Sequence, residues 1–233
     1  MRKALLLARR EIVEQYSERS AILRALILIA LPIALVLVNR GGARGSDVLL
    51  LIYGLQAALL PSATAINMAA ASFAAEKEAQ TLVPLLAAPI RDIDIVAGKL
   101  IAILVPSCAF SALSLAAFYA ASITAFGVER VSRVLEPTTL YALFALSVLF
   151  VLTLGAWVMV ISARIANQRT AQQIAGFVLA GLVIALTAAG GLLGRDVSPE
   201  LVIGIVVAVL ASDLVALELA RRFWDREEAV ARL

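Results

Sequence analysis

Six long apolar runs, each nearly free of charged residues, constrain this 233-residue chain more than any other feature. A bilayer core of about 30 Å is crossed by about 20 apolar residues in helical form, and each run is close to that length. Continuous apolar runs satisfy their backbone hydrogen bonds when they are helical, and they lack the alternating pattern of a membrane barrel. The sequence therefore predicts an all-α integral membrane protein with six transmembrane helices, at residues 21–38, 48–75, 100–126, 139–161, 174–193 and 201–219.

The composition excludes a soluble domain and a disordered chain. Hydrophobic residues make up 62% of the sequence and charged residues 16%, whereas soluble domains carry about 25% charged residues. A formal net charge of +3 gives too little self-repulsion to keep so apolar a chain unfolded in water. The basic excess is small, and in a membrane protein its placement matters more than its sum, so no nucleic-acid partner is expected.

The sequence carries no recognisable catalytic or cofactor-binding constellation. Histidine is absent, and Cys108 is the single cysteine and lies within an apolar run. Catalytic triads and zinc sites therefore lack their usual members. No glycine-rich phosphate loop ending in Gly-Lys-Ser/Thr is present either. We accordingly expect no catalytic residue, no metal and no cofactor in this chain.

The basic residues predict the orientation of the chain, because cytoplasmic loops carry the excess of Lys and Arg. The side without the termini has five: Arg40, Arg44, Arg130, Arg133 and Arg195. The side that holds both termini has fifteen: Arg2, Lys3, Arg9, Arg10, Arg19, Arg24, Lys77, Arg91, Lys99, Arg164, Arg169, Arg221, Arg222, Arg226 and Arg232. Both termini, including the tail at 220–233, are therefore predicted to be cytoplasmic.

Two further features refine the spans. Leu5, Ala8, Ile12 and Tyr16 recur at helical spacing, which predicts an amphipathic interfacial helix over residues 1–20. Pro32, Pro61 and Pro106 fall inside spans, where proline removes a helix hydrogen bond, so kinks are expected. Neighbouring helices must then satisfy the carbonyl groups that the prolines leave free.

Asp213 lies inside the predicted sixth span. A carboxylate at membrane depth is costly, so it is a candidate for a translocation or switch role. Two structural alternatives remain open. Ser212 and Asp213 can cap a new helix that runs towards the C-terminus, or Asp213 can pair with a basic residue near the cytoplasmic face.

The cytoplasmic connection between spans two and three reads EKEAQTLVPLLAAPIRDIDIVAGK, from Glu76 to Lys99. Thr81 is suited to cap a short helix whose apolar face is Leu82, Leu85 and Leu86 and which ends at Pro89. Asp92 is suited to cap the next helix, which continues into the third span. A leucine-faced helix of this kind fits a groove on a soluble partner, although a surface helix without a partner fits the pattern equally well.

These residues resemble the permease subunits of type-2 ABC exporters, whose pattern is F-A-x-E-R-E-x-G-T-L-E-x-L-L-x-x-P followed by G-K. Gln80 and Val83 depart from it, at positions where glycine and glutamate are usual. The ending around Phe223-Trp224-Asp225-Arg226-Glu227 is similar to that of many members. The matching residues, in order, are Phe73, Ala74, Glu76, Glu78, Thr81, Leu82, Leu85, Leu86, Pro89, Gly98 and Lys99.

The resemblance implies one permease domain over residues 1–233 that exports a cargo across a prokaryotic plasma or inner membrane. The implied partners are a second permease chain, identical or different, and a cytoplasmic ABC ATPase that carries the ATP and Mg²⁺, so this chain itself is not an enzyme. Gly190 and Gly191 correspond to an external gate. The implied ATPase-coupling interface, including a short cytoplasmic coupling helix, comprises Glu76, Lys77, Glu78, Thr81, Leu82, Leu85, Leu86 and Pro89.

Three other functions remain compatible with the sequence. A haem-exporter-like permease of cytochrome maturation has a similar layout, although no histidine is available to hold haem iron. A membrane assembly protein would use the same connection for docking without transport. An ion-coupled secondary transporter would use Asp213 as its titrating group.

Overall fold

The computed structural model describes residues 2–17, 19–39, 47–78, 92–165, 167, 169–174, 176–177, 207 and 209–219. These residues are helical apart from short connections, and none of those described forms a β-strand, which confirms the predicted all-α class for this part of the chain. Residues 209–219 form one helical segment. The helices before it are α1 (Arg2–Ser17), α2 (Arg19–Val38), α3 (Asp47–Leu59), α4 (Ala63–Glu78), α5 (Asp92–Phe126), α6 (Val128–Val134) and α7 (Pro137–Arg164).

Three stretches within the described ranges are long and apolar enough to cross a membrane: Leu49–Ala70, Ile93–Phe126 and Pro137–Ser162. They correspond to predicted spans two, three and four. Helices α1 and α2 meet at 80° and together qualify as a fourth candidate. The predicted continuity from Asp92 into the third span is confirmed, because α5 runs unbroken from that residue.

Predicted span one, residues 21–38, falls within α2, whereas most of predicted span five and residues 201–206 and 208 of predicted span six lie outside the described residues. Residues 178–206 and the tail at 220–233 are not described, so the total of six spans stays a prediction. The interfacial position of residues 1–20 also stays a prediction. Among the α1 side chains that the structure describes, Ala4 and Ala8 are buried, whereas Leu5 is 55% exposed.

The proline in the second span interrupts regular α-helix. Leu60–Ser62, which contains Pro61, is a 3-10 turn between α3 and α4. The hydroxyl of Ser111 on α5 donates to the carbonyl oxygen of Ala58, in the turn that precedes this proline. A neighbouring helix thus supplies a hydrogen bond at the break, as the absence of water in a bilayer requires. Helices α2 and α5 continue through Pro32 and Pro106, and bends there stay predictions.

Clustering of contacts divides the chain into two compact units. The first comprises Met1–Ala8, Ile66–Ile101 and Leu152–Leu233, and the second comprises Arg9–Ala65 and Ala102–Val151. In the first unit, Ala156 and Val160 of α7 pack with Ala216. One buried apolar cluster of the second unit contains Val36, Leu50, Ala57, Ala58, Leu115, Phe118, Val131 and Leu135.

A short helix, α6, occupies the connection between α5 and α7, and the sequence pattern does not predict it. Val131 and Leu135 from this connection are buried, at 0% and 1% exposure, within the second unit. Arg130 fixes α6 to the start of α3, since its Nε and Nη2 atoms lie 3.0 and 2.9 Å from one carboxylate oxygen of Asp47. The guanidinium carbon of Arg130 also lies 5.8 Å from the centre of the Phe126 ring. The connection between α5 and α7 is therefore packed against other helices of the second unit.

Candidate functional site

The predicted coupling residues begin at the end of α4. Glu76, Lys77 and Glu78 form its last turn. The other five, Thr81, Leu82, Leu85, Leu86 and Pro89, lie outside the described residues, as do the predicted gate residues Gly190 and Gly191. Their roles and the short coupling helix therefore stay predictions. The structure does describe the two stems of this connection, α4 and α5, and a further helix, α7, that bonds to α4.

The hydroxyl of Ser162 on α7 is bonded into the backbone of α4. The backbone amide of Ala74 donates to Ser162 Oγ over 3.0 Å, and Ser162 Oγ donates to the carbonyl oxygen of Ala70 over 2.8 Å. Ala70 and Ala74 are the acceptor and donor of one helical turn. A side chain that enters this ladder fixes the two helices relative to each other.

Lys99, the lysine of the G-K pair, lies fully buried at 0% exposure. Its Nζ donates to the carbonyl oxygen of Ser72 on α4. The hydroxyl of Ser72 turns back to the carbonyl oxygen of Ala69 over 2.7 Å, so the Ser72 side chain bonds within its own helix. A buried ammonium is stable only when polar groups surround it, and a helix carbonyl group supplies one here.

The glycine of the same pair has a steric role. A Cβ atom at Gly98 would lie 2.9 Å from the carbonyl oxygen of Ala4 and 3.1 Å from Leu7 Cδ2. Backbone of α1 therefore passes directly over α5 at this position, and glycine leaves room for it. The G-K pair thus holds two contacts, since Gly98 admits α1 and Lys99 holds α4.

Asp213 is buried at 4% exposure, and its partner is a hydroxyl group. Thr153 Oγ1 on α7 donates to Asp213 Oδ2 over 3.1 Å, while Oδ1 has no hydrogen-bond partner among the described residues. The adjacent Ser212 Oγ accepts from Trp157 Nε1 over 3.1 Å. The alternative in which Ser212 and Asp213 cap a new helix is wrong, because residues 209–219 are helical through both positions. A switch role for Asp213 stays a prediction.

These contacts join helices to one another. Among the residues that the structure describes, no three Cys, Asp or Glu side chains lie close enough together to hold a metal ion. The polar side chains of the first unit instead bond to helix backbone, as Ser162 and Lys99 do, or to other side chains, as Thr153 and Trp157 do. The arrangement is suited to holding and moving helices.

Comparison with known protein families identifies the class of this assembly of helices. Residues 44–199 match the family described as "ABC-2 family transporter protein", and this stretch is more than half of the chain. The chain belongs to the ABC-2 transporter family. The resemblance found in the sequence is thereby confirmed. As an ABC-2 permease the chain is a multi-pass membrane protein, and the family implies an ATPase subunit as its partner. The sequence matches no individual curated protein.

The three polar residues described above at the contacts of α4 with α5 and α7, namely Ser72, Lys99 and Ser162, all fall within the stretch of this ABC-2 permease that matches the family, residues 44–199. Lys99 is evident in the sequence as the end of the G-K pattern. Ser162 is not evident, because it is simply a serine at the C-terminal end of an apolar run.

Proposed function

We propose that this ABC-2 permease forms the translocation pathway of an exporter and is driven by a separate ATPase docked on the cytoplasmic connection between its second and third spans. The proposed docking residues are Glu76, Lys77, Glu78, Thr81, Leu82, Leu85, Leu86 and Pro89. ATP and Mg²⁺ bind to the partner, and this chain performs no hydrolysis itself. A second permease chain completes the pathway, and both termini lie in the cytoplasm of a prokaryotic cell.

Family membership over residues 44–199 is the observation that carries this proposal, because the matched stretch includes the whole connection. The stems of the connection support it. Helix α4 ends at Glu78 and α5 begins at Asp92, so the thirteen residues between them join two ordered helices. Ser162 and Lys99 hold the α4 stem to its neighbours, as a surface that receives mechanical force requires.

Co-purification tests the docking surface. The permease is expressed with the ABC ATPase encoded beside it, and the complex is captured through a tag on the permease. Leu86→Asp places a charge on the predicted leucine face and is expected to abolish both retention of the ATPase and vanadate-sensitive ATP hydrolysis. Ala87→Asp is the matched control, because it adds the same charge one residue away, off that face.

The two variants separate the possible results. Loss of the ATPase with Leu86→Asp and retention with Ala87→Asp supports docking through the leucine face. Equal retention of the ATPase by both variants refutes it. Retention of the ATPase without transport of any solute by the intact complex would instead favour an assembly role.

A further inference from the structure

Two neighbouring helices hold the same turn of α4, residues 70–74, from different sides. Ser162 of α7 bonds to the amide of Ala74 and the carbonyl of Ala70, over 3.0 and 2.8 Å. Lys99 of α5 bonds to the carbonyl of Ser72, which lies between them in the chain. Both side chains are fully buried, at 0% exposure. We call residues 70–74 with Lys99 and Ser162 the clasped turn.

The clasped turn resists sliding of the three helices past one another. Its bonds end on backbone atoms, so a shift of α4 by one residue breaks the bonds that join both side chains to α4. Neither side chain can replace these bonds with bonds to water, because both are buried, and the loss of a hydrogen bond from a buried ammonium is costly. Helices α4, α5 and α7 therefore move together at this point, or the bonds break as a set.

The clasped turn also lies beside the connection proposed to receive the ATPase. Helix α4 ends at Glu78, four residues after Ala74, and α5 begins at Asp92, seven residues before Lys99. Helices α4 and α5 continue covalently into the connection, so they must follow its movement. Helix α7 has no such covalent link to residues 79–91, and Ser162 bonds it directly to the backbone of α4.

We propose that Lys99 and Ser162 are positioning residues that pass a displacement of residues 79–91 to the cytoplasmic end of α7. This inference rests on the proposed function, since it takes the docked ATPase as the source of the displacement. Neither residue touches cargo or nucleotide. Their removal leaves docking intact and disconnects α7 from it.

Hydrogen exchange measured by mass spectrometry on the permease–ATPase complex in lipid nanodiscs tests the proposal. Exchange is compared between the nucleotide-free and the vanadate-trapped complex, at residues 79–91 and at residues 152–165. In the unmodified complex both segments are expected to respond to trapping. In Ser162→Ala and in Lys99→Met, the response at 152–165 falls by about 2- to 30-fold, the range for residues that carry coupling without contacting a ligand. The response at 79–91 remains.

The matched control is Ser147→Ala, which removes an equally buried hydroxyl from the same helix. Ser147 Oγ donates to the carbonyl oxygen of Phe144 within α7, over 2.7 Å, so its loss leaves the clasped turn complete. A residue that only stabilises the fold would lower the melting temperature without changing the ratio of the two exchange responses. Should Lys99→Met fail to fold, Ser162→Ala still decides the question.

Two results would overturn the inference. One is an α7 response in Ser162→Ala equal to that of Ser147→Ala, and the other is an unmodified complex in which α7 does not respond to trapping. Failure of the proposed function looks different, because the ATPase would then not co-purify and residues 79–91 would show no change when it is added.

Discussion

Three helical glycines provide a graded test of how closely α1 lies on α5. A Cβ atom at Gly98 would meet a backbone oxygen at 2.9 Å, whereas the three atoms nearest to one at Gly54 belong to side chains, the closest at 3.3 Å. A Cβ atom at Gly176 would meet no atom of the described residues within 4 Å. Replacement of each glycine by alanine adds the same methyl group to a helix, so the three variants differ mainly in the space around it.

The expected order of stability follows from two opposing terms. Alanine gains about 1 kcal/mol over glycine in a helix, and Gly176→Ala should show most of that gain. Overpacking costs about 1–3 kcal/mol where the neighbour cannot yield, and a backbone oxygen yields less than a leucine methyl group. Gly98→Ala is therefore expected to lie about 1–3 kcal/mol below Gly176→Ala, with Gly54→Ala between them.

Thermal unfolding in detergent, followed by the loss of monodisperse protein on size exclusion, measures this order. For a chain of 150–250 residues, 1 kcal/mol shifts the midpoint by about 2–4 °C, so a gap of about 2–12 °C is expected between the outer two variants. A Gly98→Ala protein that melts at or above Gly176→Ala would refute the close approach of α1. The order of Gly54→Ala serves as an internal check, since its contacts involve other helices.

Two further outcomes are expected from side-chain pairs. Arg130→Ala should lower stability by about 0–1 kcal/mol, because its partner Asp47 is 61% exposed. Salt at 1 M should reduce the difference between the unfolding midpoints of the variant and the native protein. A difference that grows with salt would contradict this expectation. Thr153→Val should cost about 0.6 kcal/mol more in the native background than in an Asp213→Ala background, measured as a double-mutant cycle. Equal costs in both backgrounds would show that the hydroxyl does not bond the carboxylate.

Spans two, three and four could be predicted because a bilayer imposes a single requirement, the length of an apolar helix, and this length can be read directly from the sequence. The helices at Ile93–Phe126 and Pro137–Ser162 differ from the predicted spans by a few residues at most ends. Helix α5 starts at Asp92, before the predicted third span at residue 100. This start was also predictable, since an acidic residue suited to cap a helix precedes the apolar run.

The polar contacts could not be predicted, because they join residues far apart in the chain. Ser162 lies 88 residues from Ala74, and Thr153 lies 60 residues from Asp213. The sequence shows that Asp213 lies inside an apolar run and that Lys99 belongs to the G-K pattern, but it does not indicate which residues face them. Helix α6 was missed for another reason: seven residues are too few for a clear hydrophobic period, although Val128, Val131 and Val134 do recur at a spacing of three.

The compactness of the turn between α5 and α7 has a consequence for antibodies directed at this connection. One residue, Gly127, separates α5 from α6, and two residues separate α6 from α7. Antibodies raised against a linear peptide from residues 127–138 should bind the intact permease poorly. A useful epitope on this face must be a folded one that includes the exposed side chains of α6.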